Sequence, residues 1–165
     1  MSVDDDGLYV LADALGGIFR QRGWRLVTAE SCTGGWIAEC VTDIAGSSGW
    51  FERGYVTYSN AAKTEMLGVE PGLIETHGAV SPAVVRAMAA GALKHSQAQV
   101  AVAVSGIAGP SGGTPKKPVG TVWFAWQQRG EEAAARCKLL AGERRAVRRQ
   151  AVEVALRGLL ELGRE

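Results

Sequence analysis

The chain has 165 residues, 47% of them hydrophobic, and its 18 basic and 17 acidic side chains leave a formal charge of +1. This length fits one domain with a sizeable core. The balanced charge argues against nucleic acid binding, which needs a basic surplus on one face. No stretch approaches the roughly 20 apolar residues of a membrane span. We therefore expect a soluble single domain over residues 1–165, with neither nucleic acid nor membrane as partner.

The side chains suited to metal or disulfide chemistry are scarce. The three cysteines include no CxxC pair, and there are only two histidines. Residues 4–6 are aspartates, whereas a secretory signal begins with basic residues. These features favour reduced thiols in the cytoplasm and no metal or cofactor. They leave open whether the chain forms a homo-oligomer.

Hydrophobic periodicity, capping residues and glycines predict elements in the order α-β-α-β-α-α-β-β-β-α. Thr33 and Asn60 are the predicted N-caps of the second and third helices, and Ser81 followed by proline starts the fourth. The sequence therefore predicts an α/β fold, a three-layer sandwich with a mixed central sheet covered by helices. The predicted bounds are helix 8–22, strand 24–29, helix 34–41, strand 54–59, helix 60–67, helix 82–95, strand 99–105, strand 119–127, strand 133–140 and helix 144–162.

A glycine-rich loop, 105–114, follows the apolar strand 99–105. Eight of its ten residues are Gly, Ser, Thr or Ala. Such a loop at the carboxyl end of a buried strand is typical of ligand binding in α/β sheets, where its free N–H groups can hold an anion. It matches neither the Walker nor the Rossmann pattern. The alternative is an ordinary connector whose glycines only relieve backbone strain.

The segment 28–35 has the same strand–loop–helix pattern, with two glycines where the helix starts. A helix N-terminus favours a phosphate or carboxylate. Glu30, Ser31 and Cys32 are the side chains here that could take part in chemistry. The alternative is structural: Ser31 and Thr33 cap the helix, and Cys32 is a small buried residue without a histidine to activate it.

A third segment, 46–63, contains Tyr58, Asn60 and Lys63. The chain has no GxSxG elbow, so a serine hydrolase of this sequence would need a base other than histidine, and neutral lysine can serve. Lys63 lies near a predicted helix N-terminus, where the dipole disfavours an ammonium ion. From the residues alone, an exposed helix lysine is the better interpretation.

The motifs together resemble the C-terminal domain of the CinA family over nearly the whole chain. The matching runs are TAESCTGG (28–35), GSSGWF (46–51), TYSNAAK (57–63), LGV (67–69), HGAVS (77–81) and SGIAGPSGGTPKKPVGTV (105–122). The resemblance implies a nicotinamide-nucleotide amidase, which deamidates nicotinamide mononucleotide to nicotinate mononucleotide and ammonia in pyridine-nucleotide salvage. It also implies a serine–lysine pair and no metal.

Carried over position by position, the resemblance implies Ser48 as nucleophile, Lys63 as its base and Tyr58 as a residue that positions or relays the proton. Ser31 remains the rival nucleophile, because the TAES run is equally typical of the family. The implied binding residues, which would hold phosphate, ribose and oxyanion, are Glu30, Ser31, Thr33, Gly34, Gly35, Asn60, Ser105, Gly106, Gly109, Gly112, Gly113, Arg144 and Arg148.

This chain departs from the family pattern at two positions. We also expect it to be a stand-alone form, without the larger N-terminal domain of many CinA proteins. Ser105 stands where threonine is common, and Gly142-Glu143-Arg144 replaces Gly-Asp-Arg. Two other functions stay open: a catalytically silent nucleotide-binding or regulatory module, and a competence or damage-response interaction protein. The presence of Ser48, Tyr58 and Lys63 favours the enzyme, since a silent relative is expected to have lost one of them.

Overall fold

The computed structural model describes residues 3–165; residues 1 and 2, the start of the predicted domain, lie outside it. A one-turn 3-10 helix, Ser47–Gly49, precedes β2. The other elements are α1 Asp5–Arg22, β1 Leu26–Glu30, α2 Trp36–Thr42, β2 Phe51–Val56, α3 Asn60–Leu67, α4 Pro71–His77, α5 Pro82–Lys94, β3 Val100–Gly106, β4 Thr121–Gln128, β5 Ala134–Leu139 and α6 Arg144–Arg164.

The five strands form one mixed sheet in the order β2-β1-β3-β4-β5. The first three of these are parallel to one another, and β4 is antiparallel to both of its neighbours. The carboxyl ends of β1, β2, β3 and β5 therefore lie at one edge of the sheet, where β4 begins. Segments that follow these strands meet there, although they are far apart in the sequence.

Helices cover both faces of the sheet, as β3 illustrates. Val100, Val102 and Val104 belong to a core shared with α1, α2 and α6. Ala101 and Ala103 belong to the opposite core, shared with α3, α4 and α5. Alternate residues of a strand point to opposite faces, so a strand covered on both sides is apolar throughout. The predicted three-layer α/β sandwich with a mixed sheet is confirmed.

Several predicted bounds and caps were wrong. β2 lies at Phe51–Val56 instead of 54–59, and α4, Pro71–His77, was not predicted. Ser59, not Asn60, caps α3, accepting a hydrogen bond from the Ala62 N–H at 3.0 Å. Position 58 consequently lies in a connection beyond the strand, where its backbone can reach α3.

None of the helices within residues 3–165 is both long enough and apolar enough to cross a membrane.

Candidate active site

A cavity of about 340 Å³ opens at the edge where the parallel strands end. Segments after β1, β2 and β3, the loop between α4 and α5, and the first residue of α6 form its walls. No Asp or Glu of the described residues lines it. The lining residues are Ser31, Cys32, Tyr58, Asn60, Lys63, Ala79, Val80, Ser105, Gly106, Ile107, Ala108, Gly109, Ser111, Gly112 and Arg144.

The cavity holds a contact between Ser31 and Lys63. The Lys63 amine Nζ lies 3.1 Å from Ser31 Oγ, 3.0 Å from the Thr57 carbonyl oxygen and 3.2 Å from the Tyr58 carbonyl oxygen. Lys63 is only 1% exposed, and no carboxylate pairs with it among residues 3–165. Burial lowers the pKa of Lys63 below its ordinary value because it disfavours the charged form.

Both partners of this contact are fixed by the backbone. Ser31 directly follows β1, and its N–H donates to the Val104 carbonyl of β3 at 3.0 Å. Lys63 lies in the first turn of α3, with its N–H donating to the Ser59 carbonyl. Two elements of the rigid fold thus bring a hydroxyl and a buried amine to hydrogen-bonding distance, the arrangement of a nucleophile beside its base.

The predicted contact of Ser48 with Lys63 was wrong. Ser48 lies in the 3-10 turn before β2, whereas Lys63 follows the other end of that strand. Six strand residues span about 20 Å. Ser48 is exposed and its carbonyl accepts a hydrogen bond from Arg25, just before β1. Proximity in the sequence was misleading, because the intervening strand carries the two residues to opposite edges of the sheet.

Glu30 and Thr33, both predicted to bind substrate, do not line the cavity. The Glu30 carboxylate, 1% exposed, accepts hydrogen bonds from Thr33 Oγ1 at 2.6 Å, the Ile37 N–H at 2.9 Å and the Ala38 N–H at 3.0 Å. Burial raises the pKa of Glu30, and these hydrogen bonds oppose the rise. Glu30 therefore caps α2 in place of Thr33, the predicted cap.

Gly34, Gly35 and Arg148 also contact the protein rather than the cavity. The φ angles of the two glycines are +61° and +101°, which disfavour residues with a side chain. Arg148 donates to the Cys32 carbonyl at 3.0 Å and to the Thr33 carbonyl at 3.1 Å. The predicted role of this arginine as a substrate ligand finds no support in its position, since it does not line the cavity and two of its donors hold the turn that carries Ser31.

Arg144, by contrast, lies at the mouth of the cavity. Its guanidinium donates to the Gly109 carbonyl at 2.8 Å and to the Tyr58 hydroxyl at 3.2 Å. The Tyr58 side chain is 61% exposed, so its phenol lies at the entrance and only its backbone carbonyl contacts Lys63. The arginine thereby connects α6, the glycine-rich loop and the segment after β2.

The glycine-rich loop lines one wall, with Ser105 2% exposed at its start. Tight packing also requires two of its glycines, because a Cβ on Gly106 or Gly109 would lie within 2.6 Å of a neighbouring valine side chain. Gly113, predicted to bind substrate, is not among the lining residues. Ligand access and tight packing thus both account for the small residues of this loop.

Six lining residues were absent from the predicted site residues, three of them within the glycine-rich loop: Cys32, Ala79, Val80, Ile107, Ala108 and Ser111. The thiol of Cys32 is buried, which raises its pKa to about 11 and leaves it a poor nucleophile. Ala79 and Val80 belong to the HGAVS run, a signal that was visible in the sequence. No group of three or more His, Cys, Asp or Glu suited to a metal occurs in residues 3–165.

Comparison with known proteins identifies relatives over nearly the whole chain. The model of the CinA C-terminal domain family matches residues 9–162. A nicotinamide-nucleotide amidohydrolase, PncC, of Escherichia coli K12 is 54% identical over 155 residues, 94% of each chain. The protein of that name from Pseudomonas putida is 55% identical over 160 residues, 97% of this chain and 99% of its own.

Solved structures show the same fold. The competence/damage inducible protein CihA of Agrobacterium tumefaciens superposes with a TM-score of 0.92 at 43% identity, covering 98% of each chain. A CinA superfamily protein of Escherichia coli gives a TM-score of 0.92 at 36% identity, covering 98% of this chain and 94% of its own.

Proposed function

This chain belongs to the CinA C-terminal domain family, and we propose from that membership that it is a nicotinamide-nucleotide amidohydrolase. The reaction converts nicotinamide mononucleotide and water to nicotinate mononucleotide and ammonia. Relatives that carry this activity in their names are 54% and 55% identical to it over nearly the full length of both chains. A nucleotide substrate and three free cysteines suit the reducing cytoplasm, where we place the reaction.

The observation that carries the proposal is the buried contact of Ser31 Oγ with Lys63 Nζ at 3.1 Å. A neutral amine has two N–H donors and one lone pair. Lys63 Nζ donates to the Thr57 and Tyr58 carbonyls, and Ser31 Oγ lies within hydrogen-bonding distance of both Nζ, at 3.1 Å, and the Tyr58 carbonyl, at 3.3 Å. When both N–H groups of the neutral amine donate to the carbonyls, its lone pair can accept the serine hydroxyl proton. Burial without a counter-ion favours this neutral form, so Lys63 is suited to act as a general base.

The proposed reaction then proceeds in two stages. Ser31 Oγ attacks the carboxamide carbon while Lys63 takes the hydroxyl proton. The tetrahedral intermediate collapses, the C–N bond breaks, and Lys63 returns the proton to the departing ammonia. Water, deprotonated by Lys63, attacks the acyl-enzyme ester; the Ser31 alkoxide leaves, regains its proton and releases the carboxylic acid.

Backbone N–H groups that follow Ser31 in the turn after β1 are the proposed donors to the oxyanion, a contribution worth about 3–4 kcal/mol per donor in known enzymes. Ser105 and the glycine-rich loop line the same cavity, and we propose that they contact the ribose or the carboxamide.

A cation at the cavity mouth suits the phosphate of the substrate. Arg144 is exposed there, and no carboxylate of the described residues shares the cavity. A guanidinium can bind two phosphate oxygens at once. We therefore propose that Arg144 anchors the phosphate while the carboxamide reaches Ser31.

Ammonia release from nicotinamide mononucleotide by the purified protein tests the proposed function. The matched control is Lys63→Met, which keeps an unbranched side chain of nearly the same length and removes the base. We expect ammonia and nicotinate mononucleotide in equal amounts from the wild type and neither from the variant. Nucleotide binding without ammonia release by the wild type would instead support the silent-module alternative.

A further inference from the structure

Glu30 is a buried carboxylate that the proposed chemistry does not use. Its carboxylate accepts three hydrogen bonds: Thr33 Oγ1 and the Ile37 N–H donate to Oε1, and the Ala38 N–H donates to Oε2. No ion pair compensates its charge within residues 3–165. A buried charge without a counter-ion is costly, so its presence beside the nucleophile calls for a reason.

The carboxylate takes over the capping of α2. Gly35 occupies the N-cap position and has no side chain to accept a hydrogen bond. Ile37 and Ala38 are the second and third residues of the helix, whose N–H groups an N-cap side chain ordinarily satisfies. Glu30 satisfies them from the end of β1, and so fixes both ends of the turn 31–35 that lies between.

The backbone of Glu30 reaches the other half of the site. Its carbonyl accepts the Thr57 N–H at 2.8 Å, and the carbonyl of Thr57 in turn accepts a hydrogen bond from Lys63 Nζ at 3.0 Å. The next residue along the chain is Ser31. One residue thus connects the turn that carries the hydroxyl with the segment that holds the amine.

We propose that Glu30 is a positioning residue for the Ser31–Lys63 pair, its side chain holding the Ser31 turn on α2 and its backbone holding the segment that contacts the lysine amine. The choice of substrate for its test rests on the proposed function, whereas the positioning role itself is inferred from these contacts alone. A shift of about 1 Å in the reacting groups can cost about 100-fold in rate.

Two sets of variants separate this role from ordinary stability. Glu30→Gln keeps the shape of the side chain, but its amide NH₂ group must then face an N–H or O–H group that donates a hydrogen bond to the wild-type carboxylate. Thr33→Val removes one donor to the carboxylate, and Thr33→Ser retains it. Val41→Ala weakens the buried side of α2 without touching these contacts, and serves as the control for helix stability.

The first measurement is the steady-state kinetics of nicotinamide mononucleotide deamidation, at a temperature where circular dichroism shows every variant folded. We expect Glu30→Gln to lower kcat about 10- to 100-fold with KM within about twofold, and Val41→Ala to keep the wild-type kcat. Thr33→Val should lower kcat, with Thr33→Ser at least fivefold above it. A Glu30→Gln variant with the kcat of Val41→Ala, or with a change confined to KM, overturns the proposal.

The second measurement needs no substrate. A fluorophosphonate labels an activated serine: Ser31 Oγ forms a bond to phosphorus, the P–F bond breaks, and the serine proton passes to Lys63. Intact mass spectrometry follows the rate, with Ser31→Ala as the unlabelled control. We expect about 10-fold slower labelling of Glu30→Gln than of Val41→Ala, and equal rates overturn the proposal.

The two measurements fail in distinguishable ways. If the wild type is labelled but releases no ammonia from the nucleotide, the amidase proposal fails and the labelling rates alone decide the role of Glu30. If Glu30→Gln does not fold, the Thr33 pair decides, because equal kcat and equal labelling of Thr33→Val and Thr33→Ser would contradict a positioning role for the carboxylate.

Discussion

Replacing Arg144 by alanine removes the cation at the mouth of the cavity. Its guanidinium donates to a carbonyl at 2.8 Å and to a phenol at 3.2 Å, so three of its five N–H donors remain, and one or two of them can bind a phosphate. A charge-assisted hydrogen bond contributes about 1.5–3 kcal/mol, and the exposure of Arg144 argues for the lower end, about 1.4 kcal/mol for each of one or two bonds. A loss of about 1.4–2.8 kcal/mol corresponds to a 10- to 100-fold rise in KM.

The assay compares nicotinamide mononucleotide with nicotinamide riboside, which lacks the phosphate. We expect Arg144→Ala to raise KM for the nucleotide and leave that for the riboside within about twofold, because only the first carries the group that the arginine contacts. The KM of Arg144→Lys for the nucleotide should lie between those of the wild type and Arg144→Ala, since lysine retains the charge but not the bidentate geometry. An equal rise for both substrates would refute the assignment of Arg144 to the phosphate.

Neutral Lys63 is the proposed base, so kcat/KM should rise with pH through its pKa, which burial holds below the ordinary value of about 10.4; a rate flat from pH 6 to 10 would contradict this. Lys63 binds a proton in the unfolded chain that it lacks in the folded chain. The free energy of unfolding of the wild type in urea, relative to that of Lys63→Met, should therefore also rise with pH up to about 10.4. A fall with pH would contradict a neutral Lys63. Gly91→Ala places a Cβ 2.0 Å from the Leu67 carbonyl oxygen and should lower the free energy of unfolding in urea by about 1–3 kcal/mol. The control Gly72→Ala, whose Cβ meets nothing within 4 Å, should not lower the free energy of unfolding. Equal losses of stability in the two variants would disprove the packing argument. Tyr58→Phe should raise KM less than tenfold and leave kcat unchanged, because its phenol lies at the entrance; a large fall in kcat would place the hydroxyl in proton transfer instead.

The sequence predicted the layers well because their signals are local. The apolar run of β3 and the Ser-Pro start of α5 each predict an element without knowledge of the rest of the chain. α4 was missed although Pro71 stands at its first position, since seven residues are too few for a clear periodicity. The start of β2 was misplaced because Phe51 and the two charged residues after it do not alternate as a half-buried strand does.

The pairing of the site residues depends on tertiary structure, which local patterns do not contain. Lys63 was identified with the aid of a family resemblance, but Ser48 was preferred to Ser31 as its partner. Only the parallel pairing of β1 and β2 decides which serine reaches the lysine. The role of Glu30 was equally hidden, because a carboxylate that caps a helix from five residues before its N-cap has no sequence signature of its own.

The central claim is that Ser31, and not Ser48, is the nucleophile activated by Lys63. Its most direct test is the turnover of nicotinamide mononucleotide by Ser31→Ala and Ser48→Ala, measured side by side as ammonia release from folded protein. We predict a loss in kcat of at least about 1,000-fold for Ser31→Ala and a kcat within about twofold of the wild type for Ser48→Ala. Full turnover by Ser31→Ala together with an inactive Ser48→Ala would contradict the account.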